Sequence, residues 1–192
     1  DANGNLIIRP NSFYAESKLK AEEVVIKELS GIIPFVIFRP VMLYGLGDRG
    51  NMGRMIEAIR KGRFVIPGSG KNKKSAMYVK DFVEIIWKSL NNERVNNSIF
   101  IVSNKNVITL REMCYEIALQ LGKRKVFSVP DKFLRVAARI GDIIPNFPLD
   151  TKTLNKLTKD SDFSRYSSIQ DVLGIDKETS FAEAMSEILK RE

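Results

Sequence analysis

The chain has 192 residues, 44% apolar and 28% charged, with a formal charge of +8, which suits one packed core with room for a small satellite. It has no histidine and one cysteine, Cys114, which excludes His-based triads, His metal sites and internal disulfides. No apolar run reaches the roughly eighteen residues of a membrane span, because Pro34, Arg39 and Pro40 interrupt the best candidate.

In chain order, residues 12–29 read as a helix capped by Ser12, with Gly31 just beyond its end. Residues 34–39 read as a buried strand of a parallel sheet. A glycine-rich loop follows, then a helix over 51–61 ended by Gly62. Short strands are expected at 64–66 and 76–79, flanking the turn Gly68-Ser69-Gly70. Asp81 is placed as the cap of a helix running to Leu90, and 98–102 as a strand. Thr109-Leu-Arg-Glu112 spells a capping box for the next helix, where Cys114 sits among Met113, Ile117 and Ala118 as a core thiol. Residues 126–129 are extended, 131–140 an amphipathic helix, 141–150 a loop, and 164–173 and 180–191 two closing helices. Strand–helix alternation gives an α/β class, turning α+β later in the chain.

The basic groups at 71–74 and 123–125 lack the interleaved aromatics that stack on bases. They read as solvated surface with one or two phosphate contacts, and no nucleic-acid groove is expected. Acid/base chemistry falls to Tyr, Lys, Asp or Glu. Gly45, Gly47 and Gly50 in YGLGDRGN satisfy G-x-G-x-x-G. A pyrophosphate-binding fingerprint needs its first Gly at the strand end and an acid about twenty residues on. Here residues 40–44 intervene after Arg39, and Val65 stands where the acid belongs, so the match is a coincidence of a glycine-rich loop. Tyr14-Ala-Glu-Ser-Lys18 places a phenol and an ammonium on one helix face, and a cation beside a phenol favours the phenolate, a general base that needs no histidine. Alone, so short a pattern often arises by chance.

The order of the pieces is more specific. Tyr14-x-x-x-Lys18 is followed by FVIFRPVMLYGLGD, then IPGSGKNKKSAMYVKD, then DFSRYSSIQDVLG. This succession resembles the second half of extended short-chain dehydrogenase/reductases, the NAD-dependent epimerase/dehydratase family acting on nucleotide sugars, and the likeness covers nearly the whole chain. It implies a fragment of a Rossmann-type α/β protein: the last part of the parallel sheet plus the smaller α+β substrate-binding domain. Residues 1–50 would be the end of the dinucleotide-binding domain and 51–192 the substrate-binding region, interleaved with the sheet.

By the same resemblance Tyr14 is the catalytic base, and Lys18 favours its tyrosinate and hydrogen-bonds the nicotinamide ribose. Pro40, Val41 and Leu43 line the nicotinamide end of an NAD (or NADP) site. Asn51 meets the substrate diphosphate, and Val65 lies along the nucleotide base. Lys74 stands where the family usually has an Arg on the phosphates, so a point charge replaces a bidentate fork. Ser75-Ala76 replaces the usual Asp-Phe, and Lys152 is a second basic contact. The implied function is a nucleotide-sugar epimerase, with UDP-sugars as the model substrate. The alternatives are a dehydratase or reductase of the same family, or a non-catalytic NAD(P)-sensing protein. The chain starts at Asp1 and the fingerprint glycines would precede it, so a truncated portion is expected, inactive alone, binding NAD poorly, and self-associating through uncovered apolar faces. The full-length protein is expected to be a cytoplasmic homodimer of the kind that serves polysaccharide biosynthesis, with no metal, nucleic-acid or membrane partner.

Overall fold

In a computed structural model, which describes residues 10, 12–123, 125–144, 149–166 and 168–190, helix α1 (Phe13–Leu29) opens where the Ser12 hydroxyl accepts from the Ala15 N–H. It ends before Gly31, whose φ of +78° suits glycine. The helix turns Ala15, Leu19, Glu22, Val25 and Leu29 halfway toward the protein and fully buries no side chain.

Strand β1 (Val36–Pro40) pairs in parallel with Ser98–Val102, from Val36 opposite Ser98 to Pro40 opposite Val102. The continuous apolar run had pointed to a fully buried strand, yet β1 is half-buried. It has a single ladder partner among the described residues, and α1 covers it only loosely. The chain then re-enters a strand where a loop was expected: β2 (Met42–Tyr44) runs parallel to Ala76–Tyr78. Met42 and Tyr44 face one core while Val41 and Leu43 face another, so β2 is the wall between them.

The first core gathers Met52, Met55, Ile56 and Ile59 of α2 (Asn51–Arg60), together with side chains of two later helices. The short strands β3 (Ile66–Pro67), β4 (Lys73–Lys74) and β5 (Ala76–Tyr78) follow, then α3 (Val79–Ser89). Asp81 is not the cap of α3, which begins two residues before it. Its carboxylate instead accepts from the Thr179 N–H at 2.9 Å and the Thr179 hydroxyl at 2.6 Å, tying α3 to the chain just before the last helix.

Strand β6 (Ser98–Val102) leads to β7 (Ile108–Thr109), which is antiparallel to β4, and to α4 (Leu110–Gln120), whose capping box is present as spelled. Strand β8 (Ser128–Val129) pairs in parallel with β3. Helices α5 (Asp131–Gly141) and α6 (Thr151–Thr158) pack on each other through Leu134, Ala138 and Leu154. The sequence reading had not assigned α6, and residues 145–148 of the expected loop lie outside the described residues. Residues 164–173 are not one helix. A 3-10 turn over Ser164–Tyr166, held by the Asp162 carboxylate, precedes α7 (Ser168–Val172). Helix α8 (Phe181–Lys190) closes the first core with Ala184, Met185 and Ile188.

The second core joins Val36, Phe38, Val41 and Leu43 to Met77, Ile85, Val102 and Ile169, so the stretches on either side of residue 50 share it. Cys114 lies wholly inside the first core, where burial pushes its thiol up to about 12. Native protein at pH 8 should therefore leave Ellman's reagent unreacted over minutes, while urea-unfolded chain reacts fully; rapid native reaction would place the thiol at the surface.

Candidate active site

Arg39 ends the apolar part of β1 and reaches across to Glu22 on α1. Its Nε donates to both carboxylate oxygens at 3.0 Å, and Nη2 makes a shorter bond to Oε2. The two side chains keep only 26% and 17% of their exposure, so this fork is a largely desolvated pair and the main polar tie between α1 and the sheet. The chain reverses between Leu29 and Val36, so the start of α1 projects past the carboxyl end of β1. At 1.5 Å per residue Tyr14 lies about 12 Å beyond Glu22. About four residues of extended chain carry Arg39 on to Leu43 over a similar distance.

On that projecting turn the Lys18 Nζ sits 5.6 Å from the centroid of the Tyr14 ring. The tyrosine is 72% exposed, on the flank of the half-buried face. Its backbone carbonyl accepts from Ser17 Oγ, and Lys18 is the partner of its ring. Pro40 is exposed, whereas Val41 and Leu43 are half-buried with their side chains in the second core. The Val41 N–H donates to the Val102 carbonyl.

The glycine loop serves a different purpose from its fingerprint. Gly47 takes a φ of +76°, and the Asp48 carboxylate then accepts from the Gly50 N–H at 2.6 Å and the Gly53 N–H at 3.1 Å. The amino end of α2, which a pyrophosphate would need, is thus held by the protein's own anion. A Cβ on Gly53 would lie 1.7 Å from the Asp48 carbonyl oxygen, so the glycine is there for packing. An NAD nicotinamide finds fitting groups in Tyr14, Lys18 and the exposed Pro40; residues 45–53 do not fit its pyrophosphate.

Asn51 starts α2, exposed, with its Oδ1 accepting from Arg54 Nη2 at 2.8 Å. Val65, just before β3, is partly exposed. Lys74 has partners other than the expected phosphate: its Nζ donates to the carbonyls of Lys156 at 2.8 Å and Lys159 at 2.6 Å, closing the carboxyl end of α6. Desolvation holds its ammonium below the usual lysine range, against the opposing pull of Asp160. Lys152 is exposed in the first turn of the same helix, several residues away, so the two ammoniums do not converge on one point. Tyr44, the first residue of YGLGDRGN, is a core residue between the rings of Tyr78 and Phe181, with its phenol pushed up first by burial and then by Asp81 and Tyr78.

Glu22 and Asp48 were not singled out from the sequence. Glu22 was legible as a charge within the inward stripe of α1, and Asp48 as the first residue of an Asp-x-Gly turn. Among the described residues no cluster of three or more acidic or thiol side chains could hold a metal ion. No helix among them is long and apolar enough to cross a membrane.

Comparison with known proteins converges on the same fold. Residues 1–103 match the model of the NAD dependent epimerase/dehydratase family. The chain is 30% identical over 119 residues to an N-acetyl-alpha-D-glucosaminyl-diphospho-ditrans,octacis-undecaprenol 4-epimerase of Escherichia coli O157:H7, covering 60% of this chain and 36% of the relative. It is 29% identical over 116 residues to a UDP-glucose 4-epimerase of Vibrio cholerae, covering 59% and 35%. The chain thus spans about a third of the length of these curated relatives. The UDP-glucuronic acid 4-epimerase of Bacillus cereus, solved with NAD, superposes with a TM-score of 0.69 at 16% identity, over 98% of this chain and 55% of that one. With more than half of the chain inside the family model and this α/β fold around the Tyr14 helix, the chain belongs to the NAD dependent epimerase/dehydratase family.

Proposed function

We propose that the protein of which these residues form part is a nucleotide-sugar 4-epimerase, with Tyr14 as its base. The observation that carries the reading is the exposed Tyr14–Lys18 pair, held past the carboxyl end of β1 by the Arg39–Glu22 fork. NAD, when bound, supplies the hydride acceptor and then the donor. Tyr14 takes the proton of the sugar hydroxyl as the carbon is oxidised to the ketone, and returns it after the sugar has presented its other face. Lys18 would hold the nicotinamide ribose, and the exposed Pro40 would lie at the nicotinamide end, with Val41 and Leu43 fixing its backbone from the second core. Asn51 donates to the substrate diphosphate, Val65 lies along the base, and Lys152 supplies an exposed positive charge. Lys74 acts from behind, fixing the end of α6. In this division residues 1–50 serve the cofactor and 51–192 the substrate.

Both curated relatives cited are 4-epimerases, which favours this reaction over dehydration or simple reduction. The test is product analysis on the polypeptide that carries these residues in its native reading frame, given UDP-glucose, UDP-N-acetylglucosamine or UDP-glucuronic acid with NAD. Inversion at C4 is expected, reduced at least about a hundredfold by Tyr14→Phe. Undiminished turnover in Tyr14→Phe would overturn the role of the tyrosine. No inversion of any of the three by protein shown to bind NAD would overturn the reaction.

A further inference from the structure

Helix α5 presents apolar side chains to solvent along its length. It buries only a narrow stripe, Leu134 and Ala138, against α6. Phe133, Val136 and Ile140, at the i, i+3, i+7 spacing of one face, remain outside, and Ile143 and Ile144, in the turn whose N–H groups bond the Ile140 carbonyl, are exposed as well. Phe133 is 69% exposed and Ile143 83%. Along one flank of this stripe run Lys132, Arg135 and Arg139, all exposed and in no ion pair among the described residues. Of the two acids of the segment, Asp131 is half-buried and Asp142 is exposed, and both carboxylates are engaged within the protein. Asp131 packs its carboxylate against the Gly68 turn, and Asp142 accepts from the Thr151 N–H and hydroxyl.

Three exposed cations thus stand against one exposed acid, whose carboxylate is engaged by Thr151, beside an apolar stripe on a chain with a net charge of +8. We propose that α5 is a membrane-surface helix that lies in the interface of an anionic bilayer, with Phe133, Val136, Ile140, Ile143 and Ile144 among the acyl chains and Lys132, Arg135 and Arg139 at the headgroups. This revises the expectation of no membrane partner: the chain would lie on the bilayer without crossing it. The charge pattern selects this occupant over a second copy of the chain, whose identical basic flank would be brought against it. The inference stands on α5 alone and is independent of the catalytic reading.

Co-sedimentation with vesicles of phosphatidylcholine containing about one third phosphatidylglycerol tests it, without any activity measurement. Binding is expected to those vesicles and to be much weaker to phosphatidylcholine alone. Lys132→Gln/Arg135→Gln/Arg139→Gln should weaken it on the order of a hundredfold at low salt. Phe133→Ser/Val136→Ser/Ile140→Ser should abolish it while leaving the far-ultraviolet circular dichroism and melting temperature in place, since all three side chains are exposed. The pair Ile32→Ser/Ile33→Ser, exposed but outside α5, should bind as the parent does. The proposal is overturned if the parent chain does not sediment, if the α5 serine variant binds undiminished, or if the Ile32/Ile33 pair is the one that abolishes binding. It is equally overturned if light scattering shows a dimer that the α5 serine variant alone dissolves.

Discussion

Gly53→Ala destabilises the fold by at least about 3 kcal/mol, although helix propensity alone would make the change favourable by about 1 kcal/mol. The sign is decided by one contact: the added Cβ would stand 1.7 Å from the Asp48 carbonyl oxygen, which is backbone and cannot rotate away. Either the 45–50 loop lifts off α2, losing the two bonds Asp48 accepts, or α2 shifts and opens the core around Met52 and Ile56. In a chain of this size the loss lowers the melting temperature by roughly 6–12 °C. Gly47→Ala is the comparison. Nothing lies within 4 Å of its Cβ position, so only the positive φ is penalised, by about 1 kcal/mol. Thermal melts of the two variants should rank in that order. A Gly53→Ala protein as stable as the parent would show that loop and helix are not in contact.

That glycine also explains what a reader of the sequence could and could not see. The mismatch of YGLGDRGN with a dinucleotide fingerprint was legible from spacing alone. The reason for each glycine was not, because it depends on a carbonyl brought close only when the loop folds onto α2. Helix ends were legible wherever the signal was local: Ser12, the Thr109–Glu112 box, and Ser180, whose hydroxyl and backbone N–H bond Glu183 just as a box should. Strands β2 and β4 escaped. Two or three residues show no period, and what makes them strands is Ala76–Tyr78 and Ile108–Thr109, more than thirty residues away. Lys74 is the same lesson at a candidate site. A basic residue where the family usually has an Arg was visible, but the carbonyls of Lys156 and Lys159 to which it donates come from over eighty residues later. The Tyr14–Lys18 pair was legible because i and i+4 on a helix are neighbours whatever the rest of the chain does.

Arg39→Met should speed amide exchange throughout α1 on the order of a hundredfold while leaving the core helices α4 and α8 as protected as before. Helix α1 fully buries no side chain, so little apolar burial holds it down. What remains is the fork to Glu22. Removing its cationic half leaves a carboxylate at 17% exposure without a partner, which costs about 2–3 kcal/mol after discounting the fully buried case for residual solvent. That loss falls on opening α1 locally, not on global unfolding. The exposed Lys20–Glu16 pair on the same helix is worth a few tenths of that, so Lys20→Met should leave exchange nearly unchanged. Adding Glu22→Leu to Arg39→Met removes the stranded charge and should recover most of the protection. If Arg39→Met left α1 as protected as the parent, the fork would not be its anchor. The consequence for the site follows from geometry: Lys18 lies about 6 Å and Tyr14 about 12 Å beyond the fork, so a small tilt at Glu22 becomes ångströms at the phenol. Errors of that size are what positioned acid/base catalysis does not tolerate.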